Sequence, residues 1–159
     1  MMKRTNNLNG FFIFLGGGNP QSTSPYHEYG RLSIDIGGVG HDSDDTPNRF
    51  VTDTIIEENV PTYITYTYNP NAESDNGILY INGIKTQTTD LGIIENLINT
   101  PTDTPIQIGS DIYETINPST DKENYKYPFY GDIYASRVYN RPLTEKEVEY
   151  NYNTTVNNY

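Results

Sequence analysis

Short apolar runs and segments that alternate polar with apolar residues fill most of the chain, separated by stretches rich in Gly, Asn, Asp and Pro. This is a pattern of strands and turns. Phe11 to Leu15 is an unbroken apolar run between Gly10 and Gly16, which predicts a strand buried on both sides. Arg31 to Ile36 alternates, placing Leu32, Ile34 and Ile36 on one face of a half-buried strand. Asn48 to Ile56 predicts the next strand. Thr62 to Tyr68 follows, with every residue β-branched or aromatic, and Ile64, Tyr66 and Tyr68 are assigned to its core side. Ile78–Ile81 and Ile84–Thr88 flank Asn82-Gly83, the strongest short-range hairpin signal, because a type I′ turn needs positive φ at both central positions. Leu91 to Ile98 fits a short helix or an irregular crossing. Pro105 to Gly109 resumes the sheet, and Phe129 to Tyr139 predicts a closing strand.

One helix is expected. Thr144-Glu145-Lys146-Glu147 has the form of a capping box, and Leu143 and Val148 have the spacing of a hydrophobic staple. The helix is expected to reach about Tyr152, leaving a tail from Asn153 with little to bury. Many short strands, long turns and a late helix predict a single all-β domain over residues 1–159, a two-sheet antiparallel sandwich with one short C-terminal helix.

Composition narrows the function. The chain has 159 residues, no cysteine, and a net charge of −11 from 21 acidic and 10 basic side chains. Thiolate chemistry and disulfides are excluded, and the acidic surface argues against nucleic acid and membrane surfaces as partners. The longest apolar runs are strand-sized, and the one near the N-terminus is too short for a signal peptide. The 15 tyrosines distinguish the chain from a disordered polar one, because each supplies apolar area together with a hydroxyl.

The residues Asn76-Gly77-Ile78-Leu79-Tyr80-Ile81-Asn82-Gly83, Pro105-Ile106-Gln107-Ile108-Gly109, and Phe129-Tyr130-Gly131-Asp132-Ile133-Tyr134-Ala135-Ser136-Arg137-Val138-Tyr139-Asn140-Arg141-Pro142-Leu143-Thr144 with Glu147 carry a family resemblance. In order and spacing, from about Thr62 to Tyr152, they resemble the laminin G-like, concanavalin A-like lectin/glucanase superfamily, in its bacterial and phage members. The resemblance implies a jelly-roll sandwich, and a recognition role on a surface or virion. Val60-Pro61 stands where the family's hairpin strand begins with tryptophan. No strand is evident before Phe11, so the expectation is either an N-terminally abridged sandwich or an edge completed by another chain, and an exposed apolar edge favours a homo-oligomer or larger assembly.

Catalytic signatures are missing. Glycosidases need two carboxylates across a cleft, but Glu57 and Glu58 are successive residues and point to opposite faces of a strand. His27 and His41 lie in no metal or nucleophile motif, so the chain is expected not to be an enzyme. Asp42, Asp44 and Asp45 sit in one loop. Such loops are ordinarily solvated; the alternative is a Ca2+ site, which needs clustered hard oxygen ligands. The resemblance adds that related binders hold calcium on a rim loop. Tyr113, Tyr125 and Tyr127 lie in the long polar excursion before the closing block, and serve either in packing or as a ligand-stacking surface. The expected function is recognition of a glycan or a protein surface, outside the cell or on a virion; the alternative is a structural decoration protein of a particle, and glycoside hydrolysis is the remote one.

Overall fold

The computed structural model describes residues 2–4, 10–16, 29–36, 49–73, 76–86, 88–89, 106, 108–109, 111–112, 125–126 and 129–157. They form strands β1 (Met2–Arg4), β2 (Gly10–Leu15), β3 (Arg31–Ile36), β4 (Arg49–Ile55), β5 (Ile64–Tyr68), β6 (Gly77–Ile81), β7 (Ile84–Lys85), β8 (Thr88–Thr89), β9 (Asp111–Ile112) and β10 (Tyr125–Lys126), followed by helix α1 (Glu145–Val156). A five-stranded sheet has the order β1-β2-β3-β4-β8, a three-stranded sheet the order β5-β6-β7, and β9 and β10 form a ribbon; every pairing is antiparallel. The all-β sandwich with one C-terminal helix is therefore the observed fold.

The two larger sheets meet through the side chains that alternation assigns inward. Ile13 lies opposite Ile34 and Leu15 opposite Leu32 across the β2/β3 ladder, and Leu32 and Ile34 pack with Leu79 of β6. Tyr66 and Tyr68 of β5 close over this cluster. Ile64, assigned to the same face, is one-third exposed because it stands at the open end of its strand.

β3 departs from the half-buried expectation. Ser33 and Val51 are paired neighbours on its other face, and both are buried, so at Leu32 to Ile34 this strand is covered on both faces. In β2, Ile13 and Leu15 are half-buried against the core, and the side chains of Phe11, Phe12 and Phe14, on which the expected burial of both faces depends, lie outside the described residues. The register shift between Arg31 and Ser33 forms a bulge, and the Leu32 N–H there donates to Thr52 Oγ1 at 3.3 Å. The Thr52 hydroxyl in turn donates to Thr54 O at 2.7 Å. A threonine hydroxyl thus replaces a missing ladder bond, as a buried backbone donor requires.

β1 pairs with β2 from Met2 opposite Phe12 to Arg4 opposite Gly10. A flanking strand is therefore present before Phe11, where the sequence pattern showed none, because three residues are too few for a detectable alternation. Leu91 to Ile98 lies outside the described residues. Ile106, Ile108 and Gly109 are not in a strand; Gly109 has φ +90°, which an extended ladder does not accommodate.

Candidate functional site

The β6/β7 turn is the starting point. Asn82 and Gly83 have φ of 52° and 78°, as a type I′ turn requires. Asn82 also grips the chain before β5: its N–H donates to Tyr63 O at 2.8 Å and its Oδ1 accepts from Tyr63 N–H at 2.9 Å. Tyr63 is thereby held at the rim, its ring tilted 54° to that of Tyr152 with centroids 6.0 Å apart. Tyr152 lies on the turn so closely that a Cβ at Gly83 would sit 3.0 Å from Tyr152 Cδ1. Glycine at this position serves the turn and the docking of α1 at once.

Helix α1 begins as its sequence dictates. Glu147 N–H donates to Thr144 Oγ1 at 3.3 Å, and Thr144 N–H donates back to Glu147 Oε2 at 2.8 Å. Arg141 adds two bonds to the same carboxylate, Nη1 to Oε2 at 3.0 Å and Nη2 to Oε1 at 2.6 Å. The Arg141 side chain, followed by the Thr144 backbone N–H and hydroxyl, holds the Glu147 carboxyl at about 2, and Glu147 raises the Arg141 guanidinium in return. Val148 is fully buried, and Leu143 half-buried, as the staple spacing anticipates. Burial, and then the Glu145 carboxylate, push the Tyr80 phenol upward. The helix runs to Val156, one turn beyond the expected Tyr152, and Thr155 in that turn is buried. The tail therefore has a function in packing that its polar composition hides.

Between β10 and α1 runs a strap, residues 129–141, which includes Phe129 to Tyr139, the span that the pattern predicts as the closing strand. Among the described residues it joins no ladder, and every one of its residues is exposed, with Tyr130 at 92% and Val138 at 64%. Tyr134 is exposed also. Strand propensity is realised only against a neighbouring strand, and the contacts seen here are of another kind. Phe129 N–H donates to Gly109 O at 2.7 Å at the start of the strap. Further on, Arg137 Nη1 donates to Thr155 Oγ1 at 2.9 Å and lies 3.4 Å from the Tyr63 hydroxyl. Asn151 Nδ2 donates to the Tyr139 hydroxyl at 3.2 Å. Arg137 and Tyr139 are two apart on an irregular segment, and Asn151 and Thr155 are four apart on one helix face, so two rows of side chains meet in a seam.

Tyr63, Arg137, Tyr139, Asn151 and Thr155 form the candidate site. None was singled out as a ligand-binding residue from the sequence. The available signal was the pairing of an i, i+2 row with an i, i+4 row, but only the docking of α1 reveals that they face one another. Asp42, Asp44 and Asp45 lie outside the described residues, as do Tyr113 and Tyr127. Tyr125 is in β10, its backbone opposite Ile112. Glu57 and Glu58 are exposed. Among the described residues no cluster of three or more His, Asp or Glu side chains is arranged to hold a metal ion, and no helix is long and apolar enough to cross a membrane.

The geometry can be set beside known proteins. No curated protein matches the chain. Among solved structures, residues 221–444 of an S-layer domain-containing protein from Clostridium thermocellum are similar, at 17% identity and a TM-score of 0.41. The alignment takes in 94% of this chain and 65% of that one, so the chain spans about two thirds of the neighbour's length. A family model of laminin G type matches residues 3–149, from β1 into α1. With that match across both sheets, the strap and the capping box, the chain belongs to the concanavalin A-like lectin/glucanases superfamily.

Proposed function

We propose that this chain is a non-catalytic recognition domain of a surface-associated protein, outside the cell or on a virion, and that it binds carbohydrate or a protein surface at the rim where the strap meets α1. The observation that carries this reading is the seam itself, where tyrosine hydroxyls, a guanidinium and a carboxamide are held side by side on an exposed surface. Sugar and peptide sites are built from such fixed polar groups beside aromatic rings. The non-catalytic reading is supported by three carboxylates: Glu147 is committed to the cap and Arg141, and Glu57 and Glu58 are exposed sequence neighbours.

A glycan array, read together with a reducing-sugar assay on the glycans retained, tests this reading. Retention without release of reducing ends is the expected result; release would make the chain a hydrolase. Repeating the array in EDTA, and with Asp42, Asp44 and Asp45 changed to Asn, tests whether Ca2+ takes part. The exposed apolar side chains of the strap, with Ile84 at the sheet edge, favour a second reading in which the domain assembles with copies of itself or decorates a particle. Light scattering separates the two: a monomer favours recognition, and a stable oligomer favours assembly.

A further inference from the structure

We propose that the seam between the strap and α1 receives a carboxylate-bearing saccharide, with Arg137 as the anion-binding group; this rests on the glycan-binding reading and specifies its ligand. Arg137 makes both of its contacts through one nitrogen, Nη1. Its Nε and Nη2 have no partner among the described residues, although the side chain is exposed. A guanidinium edge made of Nε–H and Nη2–H matches the two oxygens of a carboxylate. Holding the other corner on Thr155 and Tyr63 removes much of the side-chain freedom that a free arginine would lose on binding.

The other arginines with described side chains define the contrast. Arg141 spends both terminal nitrogens on Glu147. Arg31 donates to Thr52 O at 2.8 Å and lies 3.8 Å from Asp53. Each of these two therefore has a carboxylate of its own chain, and Arg137 has none within ion-pairing distance among the described residues. In a chain of net charge −11 an oriented guanidinium without an internal acid is the exception. The same net charge selects among anions. It repels densely charged sulfated or phosphorylated polymers, leaving a single acid group on an otherwise neutral sugar as the fitting ligand. Beside Arg137, the Tyr139 hydroxyl accepts from Asn151 and keeps its own hydrogen to donate, while Asn151 Oδ1 is an acceptor. These are partners for sugar hydroxyls next to the acid.

The test is a titration of the full chain with sodium glucuronate and, separately, with glucose, following arginine Nε–Hε signals by NMR, combined with a glycan array on wild type and Arg137→Gln. Glucuronate is expected to shift the Arg137 signal saturably and glucose to leave it in place. On the array, uronic-acid glycans are expected to be retained, and at least tenfold less by the variant. A thermal melt establishes that the variant is folded; if it is not, the wild-type titration decides alone. Equal responses to the two sugars, or glucuronate binding that leaves the Arg137 signal unmoved, overturns the proposal. Retention of neutral glycans with equal strength by both proteins overturns it too, while leaving the glycan-binding reading intact. Absence of any glycan binding removes both.

Discussion

The β6/β7 turn with helix α1, and the strap that lies between them in sequence, belong to the same family-like stretch and behave differently. In the first region each backbone need is met within a few residues. Asn82-Gly83 makes its own turn, Thr144 and Glu147 cap each other, and Val148 and Tyr80 are buried as a result. In the strap, Tyr130, Ile133, Val138 and Tyr139 are as apolar as core residues and are nevertheless exposed. A turn or a cap is completed by local chemistry, whereas an extended segment is completed only by what lies beside it. Beyond the Phe129 backbone bond to Gly109, the described attachments of the strap are made by polar side chains, with Arg137 at the surface among them.

Substitutions sharpen the contrast, beginning with the largest effect. Leu79→Ala removes a fully buried side chain from between the sheets and is expected to cost about 3 kcal/mol in urea unfolding, whereas Tyr130→Ala in the strap should change stability by less than about 0.5 kcal/mol. Equal effects of the two would mean that the strap is packed in solution. Gly83→Ala places a Cβ against the Tyr152 ring at a positive φ and should cost about 1–2 kcal/mol; Gly109→Ala, with its nearest contact at 3.7 Å from Ile133, should cost less. If Gly83→Ala is neutral by thermal melting, α1 does not rest on the turn. Thr144→Ala removes the cap and should cost about 1 kcal/mol, with a matching loss of helical circular dichroism.

The smallest effect is one of pH. The Glu147 carboxyl is lowered from the ordinary 4.5 to about 2 by Arg141 and Thr144. Between those values the unfolded chain binds more protons than the folded one, so stability rises with pH. The contribution is complete above the ordinary carboxylate value and is lost as acidification passes about 2. Melting temperatures across this range should fall with acid less steeply in Glu147→Gln than in wild type; identical slopes would show that the bonds to Arg141 do not persist in solution.

Legibility followed the same division. Leu32, Ile34, Tyr66 and Tyr68 were assigned to the core from alternation, and the Asn82-Gly83 turn and the capping box from residue identity, and each lies where expected. Burial of Ser33 escaped notice because a serine in an alternating strand reads as solvent-facing, and only its central place in the sheet covers that side. The acids and tyrosines that the sequence offers for binding, Asp42, Asp44, Asp45, Tyr113 and Tyr127, lie outside the described residues, and Tyr125 is seen only in the pairing of β10. The site that the structure does bring together was missed because its members are separated by 74 residues between Tyr63 and Arg137 and by 18 between Arg137 and Thr155.

By itself the sequence determined the strand alternation, the turn, the cap and the family, since each is written in neighbouring residues or in their order. Only the tertiary structure decided that β3 is covered on both faces at Leu32 to Ile34, that the strap lies exposed, and that Arg137 faces Tyr63 and Thr155. Those outcomes depend on which surfaces of distant segments come to lie against one another, and periodicity along a chain carries no information about that.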